Sequence, residues 1–180
     1  MVTETLPSYY LGHNPDHRVI EISYSESFAQ RFGKSNKNKV RDFGDLFGIQ
    51  LSKTSKSNVN WSLSNERGRM ISRGISSGVT GEACNLMIID DPIKNSQEAN
   101  SPAVRGRIYD EWINSFRSRL ATDGKVIVIQ TRWHEDDLYG RLKKDPYARS
   151  INIEAICESD DDPLGRETGE GIAPEIGNLS

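Results

Sequence analysis

Two continuous apolar runs constrain this chain more than any other feature. Leu86-Met87-Ile88-Ile89 leads into Asp90-Asp91-Pro92, and Val126-Ile127-Val128-Ile129 leads into Gln130-Thr131-Arg132-Trp133. Runs that are apolar on both faces read as strands of a covered parallel sheet, and the second is expected to lie centrally in it. Between them Ser101 caps a helix with Pro102 at its first position. Tyr109, Trp112, Ile113, Phe116 and Leu120 recur along it as one wide apolar stripe. Strand, helix, strand is a right-handed parallel crossover. The C-terminal ends of both strands therefore share one edge of the sheet, and Asp90, Asp91 and Thr131 are expected in one crevice there.

Apolar residues running into two adjacent carboxylates is the Walker B arrangement of nucleotide-hydrolysing machines. Magnesium needs few protein carboxylates when water and phosphate oxygens complete its shell, so Asp90 suffices as its ligand. Asp91 is then the candidate base, although Glu is the commoner residue here. Pro92 fixes the turn that follows. Thr131 is placed to donate to a terminal phosphate or its attacking water. The plain alternatives are a polar Asp-Asp-Pro turn and a β-branched residue at a strand end. Arg132 faces the nucleotide, neutralises the aspartates or forms a surface ion pair. His134 reads as a helix-start residue.

Elsewhere, Val19–Tyr24 reads as a strand after a turn at Asn14-Pro15-Asp16. Ser25 caps a helix with Phe28, Ala29 and Phe32 on one face, and Gly33 is expected to end it. The Ser/Lys-rich stretch from Ser52 to Asn58 reads as a loop. Trp61–Leu63 and Arg69–Ile75 read as short strands, and a Gly-rich segment, Gly74 to Gly81, leads into the first long strand. His134–Lys143 reads as a helix, acidic first and basic last. Ser150–Ile156 reads as a final strand, followed by a loop rich in acid, Gly and Pro from Glu158 to Pro174.

With 180 residues, 35% hydrophobic and 27% charged, the chain can bury one ordinary core. No apolar run approaches the roughly 20 residues that cross a bilayer, and the N-terminus lacks the features of a signal peptide. Cys84 and Cys157 are too isolated for a disulfide scaffold or a zinc site, and read as free thiols of a reducing cytosol. The net charge of −3 does not mark a dedicated nucleic-acid module. One basic cluster, Arg31, Lys34, Lys37, Lys39 and Arg41, either tracks a phosphate backbone or is a solvated helix surface.

An enzyme of this type also needs a Gly-rich loop after a strand, with Lys and a hydroxyl residue opening the next helix. The nearest match is Phe32-Gly33-Lys34-Ser35, which sits on a helical pattern with Phe28 where the first Gly belongs. It reads as a decoy.

The run Ile88-Ile89-Asp90-Asp91-Pro92-Ile93-Lys94-Asn95, the pair Glu111-Trp112, and Gln130-Thr131-Arg132-Trp133-His134-Glu135-Asp136-Asp137-Leu138 with Gly140-Arg141-Leu142 resemble the large terminase subunit of tailed bacteriophages and prophages. Tyr10-Leu11-Gly12, Asn14-Pro15, Ser23-Tyr24-Ser25 and the Asp161 to Pro174 tail fit as well. The resemblance implies a RecA-like α/β P-loop NTPase of the ASCE type, a three-layer sandwich with a mainly parallel sheet. It implies ATP and Mg2+ as cofactors, with Asp90 as the metal aspartate, Asp91 as the catalytic carboxylate and Thr131 as the coupling threonine.

The implied partners are double-stranded viral DNA, the portal protein and the small terminase subunit; Lys37 and Lys39 of the basic cluster are the candidate DNA contacts. Self-association is possible, no membrane is involved, and the location is the cytoplasm of the bacterial host. In that family the phosphate loop lies upstream of the segment resembling Leu6 to Gly12. The expectation is a partial ATPase domain over 1–157, incomplete at its N-terminal strand, and over 158–180 a linker toward a nuclease domain. Glu82 stands where many relatives carry a basic residue. The arginine finger is thus unassigned, with Arg69 and Arg73 as the available candidates. Such a chain is expected not to hydrolyse ATP alone. A non-catalytic prophage remnant or docking module and a helicase-type ATPase are the competing readings.

Overall fold

A computed structural model describes residues 2–79 and 81–172. The described residues up to Arg141 form one compact unit, and those from Leu142 onward a second. In chain order the first contains α1 (Val2–His13), β1 (Arg18–Ser23), α2 (Glu26–Phe43), β2 (Asn60–Ser62), β3 (Arg69–Gly74), β4 (Cys84–Asp90), α3 (Ser96–Ala99), α4 (Pro102–Glu111) and β5 (Leu120–Ile129). Helix α5 (Leu138–Leu142) ends it. The five strands make one sheet in the order β2-β3-β1-β4-β5. All neighbours are parallel except the β2–β3 pair. The chain therefore has an α/β fold with a mainly parallel sheet.

Strand β1 is central because Val19, Ile20 and Ile22 are all fully buried, which only a sheet covered on both faces accommodates. Val19, Met70, Leu86 and Ile88 join Leu11 of α1, Val40 of α2 and Trp61 in one core cluster. Asn36 pins the two helices together: its amide donates to the Thr3 and Phe32 carbonyls, and its oxygen accepts from the Ser8 N–H. Ser25 caps α2 by accepting from the Phe28 N–H at 3.4 Å.

Several elements differ from the sequence expectation. Helix α2 does not end at Gly33 but runs through it to Phe43. A Cβ at that position would press on the Asn58 carbonyl and lie 2.9 Å from Ser72 Oγ, so the glycine serves close packing against β3 rather than a stop. Strand β5 is not central but lies at the sheet edge, paired with β4 and with no other described strand. Its residues from Val126 to Gln130 are half-buried. Ser150–Ile156 is no strand; only Ile156 makes an isolated bridge, to Gly171.

The helix before β5 also departs from its expected stripe. Its buried residues are Arg105, Ile108, Trp112 and Phe116, it passes through a π-helical turn at Trp112–Phe116, and Leu120 already belongs to β5. Helix α1, with Pro7 inside it, was not anticipated. α5 is shorter than His134–Lys143.

Beyond Arg141, Cys157 and Glu170 are joined by a backbone bond, and Arg166 grips Asp162 through Nη2 at 2.7 Å. This ion pair, with two backbone N–H groups also donating to the carboxylate, holds Asp162 well below the usual range. Of the tail read as 158–180, residues 173–180 lie outside the described residues, as does Thr80 of the Gly-rich segment. Both cysteines are free and buried.

Candidate active site

The crossover unit is present: β4 and β5 are parallel, with Ile88 beside Ile127 and Asp90 beside Ile129. Pairing continues one residue further, because the Asp91 N–H donates to the Ile129 carbonyl at 2.8 Å. Asp91 adopts a left-handed backbone with φ 42°, which Asp tolerates better than most residues. The turn swings its carboxylate toward the neighbouring strand end, where Oδ1 accepts the Thr131 N–H at 3.0 Å. Asp91 and Thr131 are both exposed, whereas Asp90 is buried at the same edge.

Asp90 alternates with Leu86 and Ile88, so it looks toward the layer holding α1. Burial pushes its carboxyl up; the neighbouring Thr3 hydroxyl pulls it down, and Asp91 and Glu4 push it up again. The first turn of α1 thus lies against the strand end. The lip holds one recessed carboxylate, one exposed carboxylate tied to the opposite loop, and the exposed Thr131. An octahedral cation that keeps most of its waters needs no more protein ligands than this. Among the described residues no cluster of three or more His, Cys, Asp or Glu side chains could hold a metal ion.

The remaining sequence candidates have other partners. Arg132 turns to Asp137, with Nε to Oδ2 at 2.8 Å, and its guanidinium lies 4.4 Å from the Tyr139 ring centroid. Asp137 is fully buried and also accepts the Gly140 N–H, capping α5. Lys37 donates to the Ser55 and Ser57 carbonyls, holding the Ser/Lys-rich loop, and Lys39 to Ser35 Oγ. Arg69 pairs with Glu82 at 3.0 Å and Arg73 with Glu26 at 3.7 Å. Phe32-Gly33-Lys34-Ser35 lies inside α2, where no phosphate cradle forms.

Two residues escaped the sequence reading. Glu21, in the middle of β1, is fully buried with neither carboxylate oxygen hydrogen-bonded. Burial drives its pKa well up; the neighbouring Ser72 hydroxyl opposes the rise, and Asp90 and Glu26 reinforce it. A lone acid between Ile20 and Ile22 was the available signal. Arg105 is buried beside Asp136, and nothing in its helical context marks it.

Among the described residues, no helix is long and apolar enough to cross a membrane. No curated protein sequence matches the chain. A solved structure, that of the HK97 bacteriophage large terminase, is similar at 15% identity with a TM-score of 0.49, covering 80% of this chain. The chain spans about 30% of the length of that protein. The family model described as terminase large subunit, T4likevirus-type, N-terminal, matches residues 1–180 in full. This chain therefore belongs to the family of N-terminal regions of terminase large subunits.

Proposed function

We propose that this chain is part of the ATP-driven motor that moves viral DNA into a procapsid. Bound Mg2+–ATP would supply the electrophilic phosphorus and the divalent charge. Asp90 would hold the hydrated cation, and Asp91 would orient and deprotonate the attacking water. Thr131 would register the terminal phosphate through its hydroxyl. The observation that carries this reading is the 3.0 Å bond from the Thr131 N–H to the Asp91 carboxylate, which makes the loops after β4 and β5 a single lip.

Arg132, bound to Asp137, would act on the nucleotide only after releasing that carboxylate. Double-stranded DNA, a portal protein and a small terminase subunit are the partners the reading implies, in the host cytoplasm. Residues 1–157 would belong to the ATPase core and 158–180 to a linker. The 180 residues contain no GxxxxGK[ST] segment, so the chain alone would bind nucleotide weakly and not turn it over.

A family phosphate-loop strand appended ahead of Val2 tests this. The extended chain should acquire magnesium-dependent ATP turnover, reduced about a hundredfold or more by Asp90→Asn. Turnover indifferent to Asp90→Asn would overturn the assignment. The second reading, a non-catalytic docking module, is favoured by that same missing segment. It expects the extended chain to stay inactive although folded.

A further inference from the structure

Arg105 joins the two loops that form the lip. It sits in the first half of α4 with its side chain buried. Its Nη1 donates to the Ala99 carbonyl, at the end of α3 in the segment entered from Asp91. Its Nε reaches Asp136 Oδ2 at 3.5 Å, in the segment entered from Thr131. Asp136 is gripped a second time by Arg141, whose Nε and Nη2 donate to its two oxygens at 2.9 and 2.8 Å. Arg141 in turn lies over the Tyr109 ring at 4.8 Å, one helical turn beyond Arg105 on α4.

We propose that Arg105 and Asp136 form a brace that fixes the spacing between the Asp91 and Thr131 loops, making both positioning residues of the lip. A solvated ion pair would contribute little. This one is different, because Arg105 is buried and loses its anionic partner when Asp136 is neutralised, keeping only the Ala99 carbonyl. The forked contact with Arg141 adds direction as well as charge. Arg141, then Arg105, hold the Asp136 carboxyl down at about 2, so the brace stays ionised across ordinary pH. Asp136 is about half exposed at 47%, so salt weakens its contacts.

The functional meaning of the brace rests on the reading of the lip given above, but its existence is measured without nucleotide. Amide hydrogen exchange followed by NMR on the 180-residue chain reads the Thr131 N–H directly. Asp136→Asn should accelerate exchange at Thr131 about tenfold at low salt while β1 and β3 amides keep their rates, because only a local opening is affected. Asp136→Glu, which keeps the charge, should restore most of the protection, and 0.5 M salt should move the native chain toward the Asp136→Asn rate. Because Arg105→Met removes a buried group and risks the fold, the half-exposed Asp136→Asn carries the test. Unchanged exchange at Thr131, or acceleration shared equally by β1, would overturn the brace. An ATPase reading that failed by itself would leave this result untouched.

Discussion

The Thr131 backbone N–H donates to Asp91 Oδ1 at 3.0 Å across the gap between β4 and β5. That contact exists because Asp91 takes a left-handed backbone at φ 42°, turning its carboxylate sideways instead of out along the strand. Backbone and side chain therefore make separable demands at this position. Asp91→Asn meets both and should leave stability nearly unchanged. Asp91→Ala meets neither and should cost about 1–2 kcal/mol in urea unfolding, the strain of a left-handed Cβ residue plus a lost acceptor. Equal stability of the two variants would remove the structural half of this account.

Glu21 sets a pH dependence of definite sign. Its folded pKa is raised well above the ordinary Glu value, burial being the first cause. The neutral form is thus the one the fold prefers. Stability from this group is fully present below the ordinary Glu pKa of about 4.3 and is lost as pH rises through the folded value. Glu21→Leu should stabilise the chain at pH 7 by about 1–3 kcal/mol, since it removes a buried unsatisfied carboxyl. Thermal unfolding at pH 5 and pH 8 checks it: the native chain should lose more stability between them than Glu21→Leu does. A variant less stable than the native chain at pH 8 would contradict the prediction.

Gly33→Ala weighs two effects against each other. In a helix interior Ala is favoured over Gly by about 1 kcal/mol. Here the new Cβ would press on the Asn58 carbonyl and on Ser72 Oγ at 2.9 Å, and overpacking costs about 1–3 kcal/mol. A net destabilisation of up to about 2 kcal/mol is expected. A stabilised variant would show that the Asn58 loop yields freely.

How much of this was legible in the letters depended on whether one residue had one reading. The β4 and β5 runs were found because unbroken apolar stretches have few alternatives, and Asp90, Asp91 and Thr131 followed from the crossover rule. Gly33 misled because glycine both stops helices and permits close packing, and only the neighbouring Asn58 carbonyl decides which. Ser150 to Ile156 alternates like a strand, yet alternation does not supply a partner. The edge position of β5 conflicts with its apolar run Val126–Ile129, which by itself argues for the centre. Arg105 and Asp136 were invisible because their contact joins residues thirty-one positions apart.

Strand β5 also carries a consequence for solution behaviour. An apolar edge whose outer backbone groups meet no described strand is a template for pairing. The chain in dilute neutral buffer should associate in a concentration-dependent way in sedimentation velocity, and Val128→Lys should shift it toward monomer. A monodisperse native chain that unfolds cooperatively would count against the open edge.

In the proposed reading, a divalent cation and a phosphate meet at the lip formed by Asp90, Asp91 and Thr131. Paramagnetic broadening by Mn2+–ATP on the 180-residue chain tests it most directly, because fast exchange registers even weak binding. Broadening should concentrate on the amides of Asp90, Asp91 and Thr131 and on the first turn of α1, and Asp90→Asn should suppress it. Broadening confined to the acidic stretch around Asp160–Asp162, with the lip signals sharp, would contradict it.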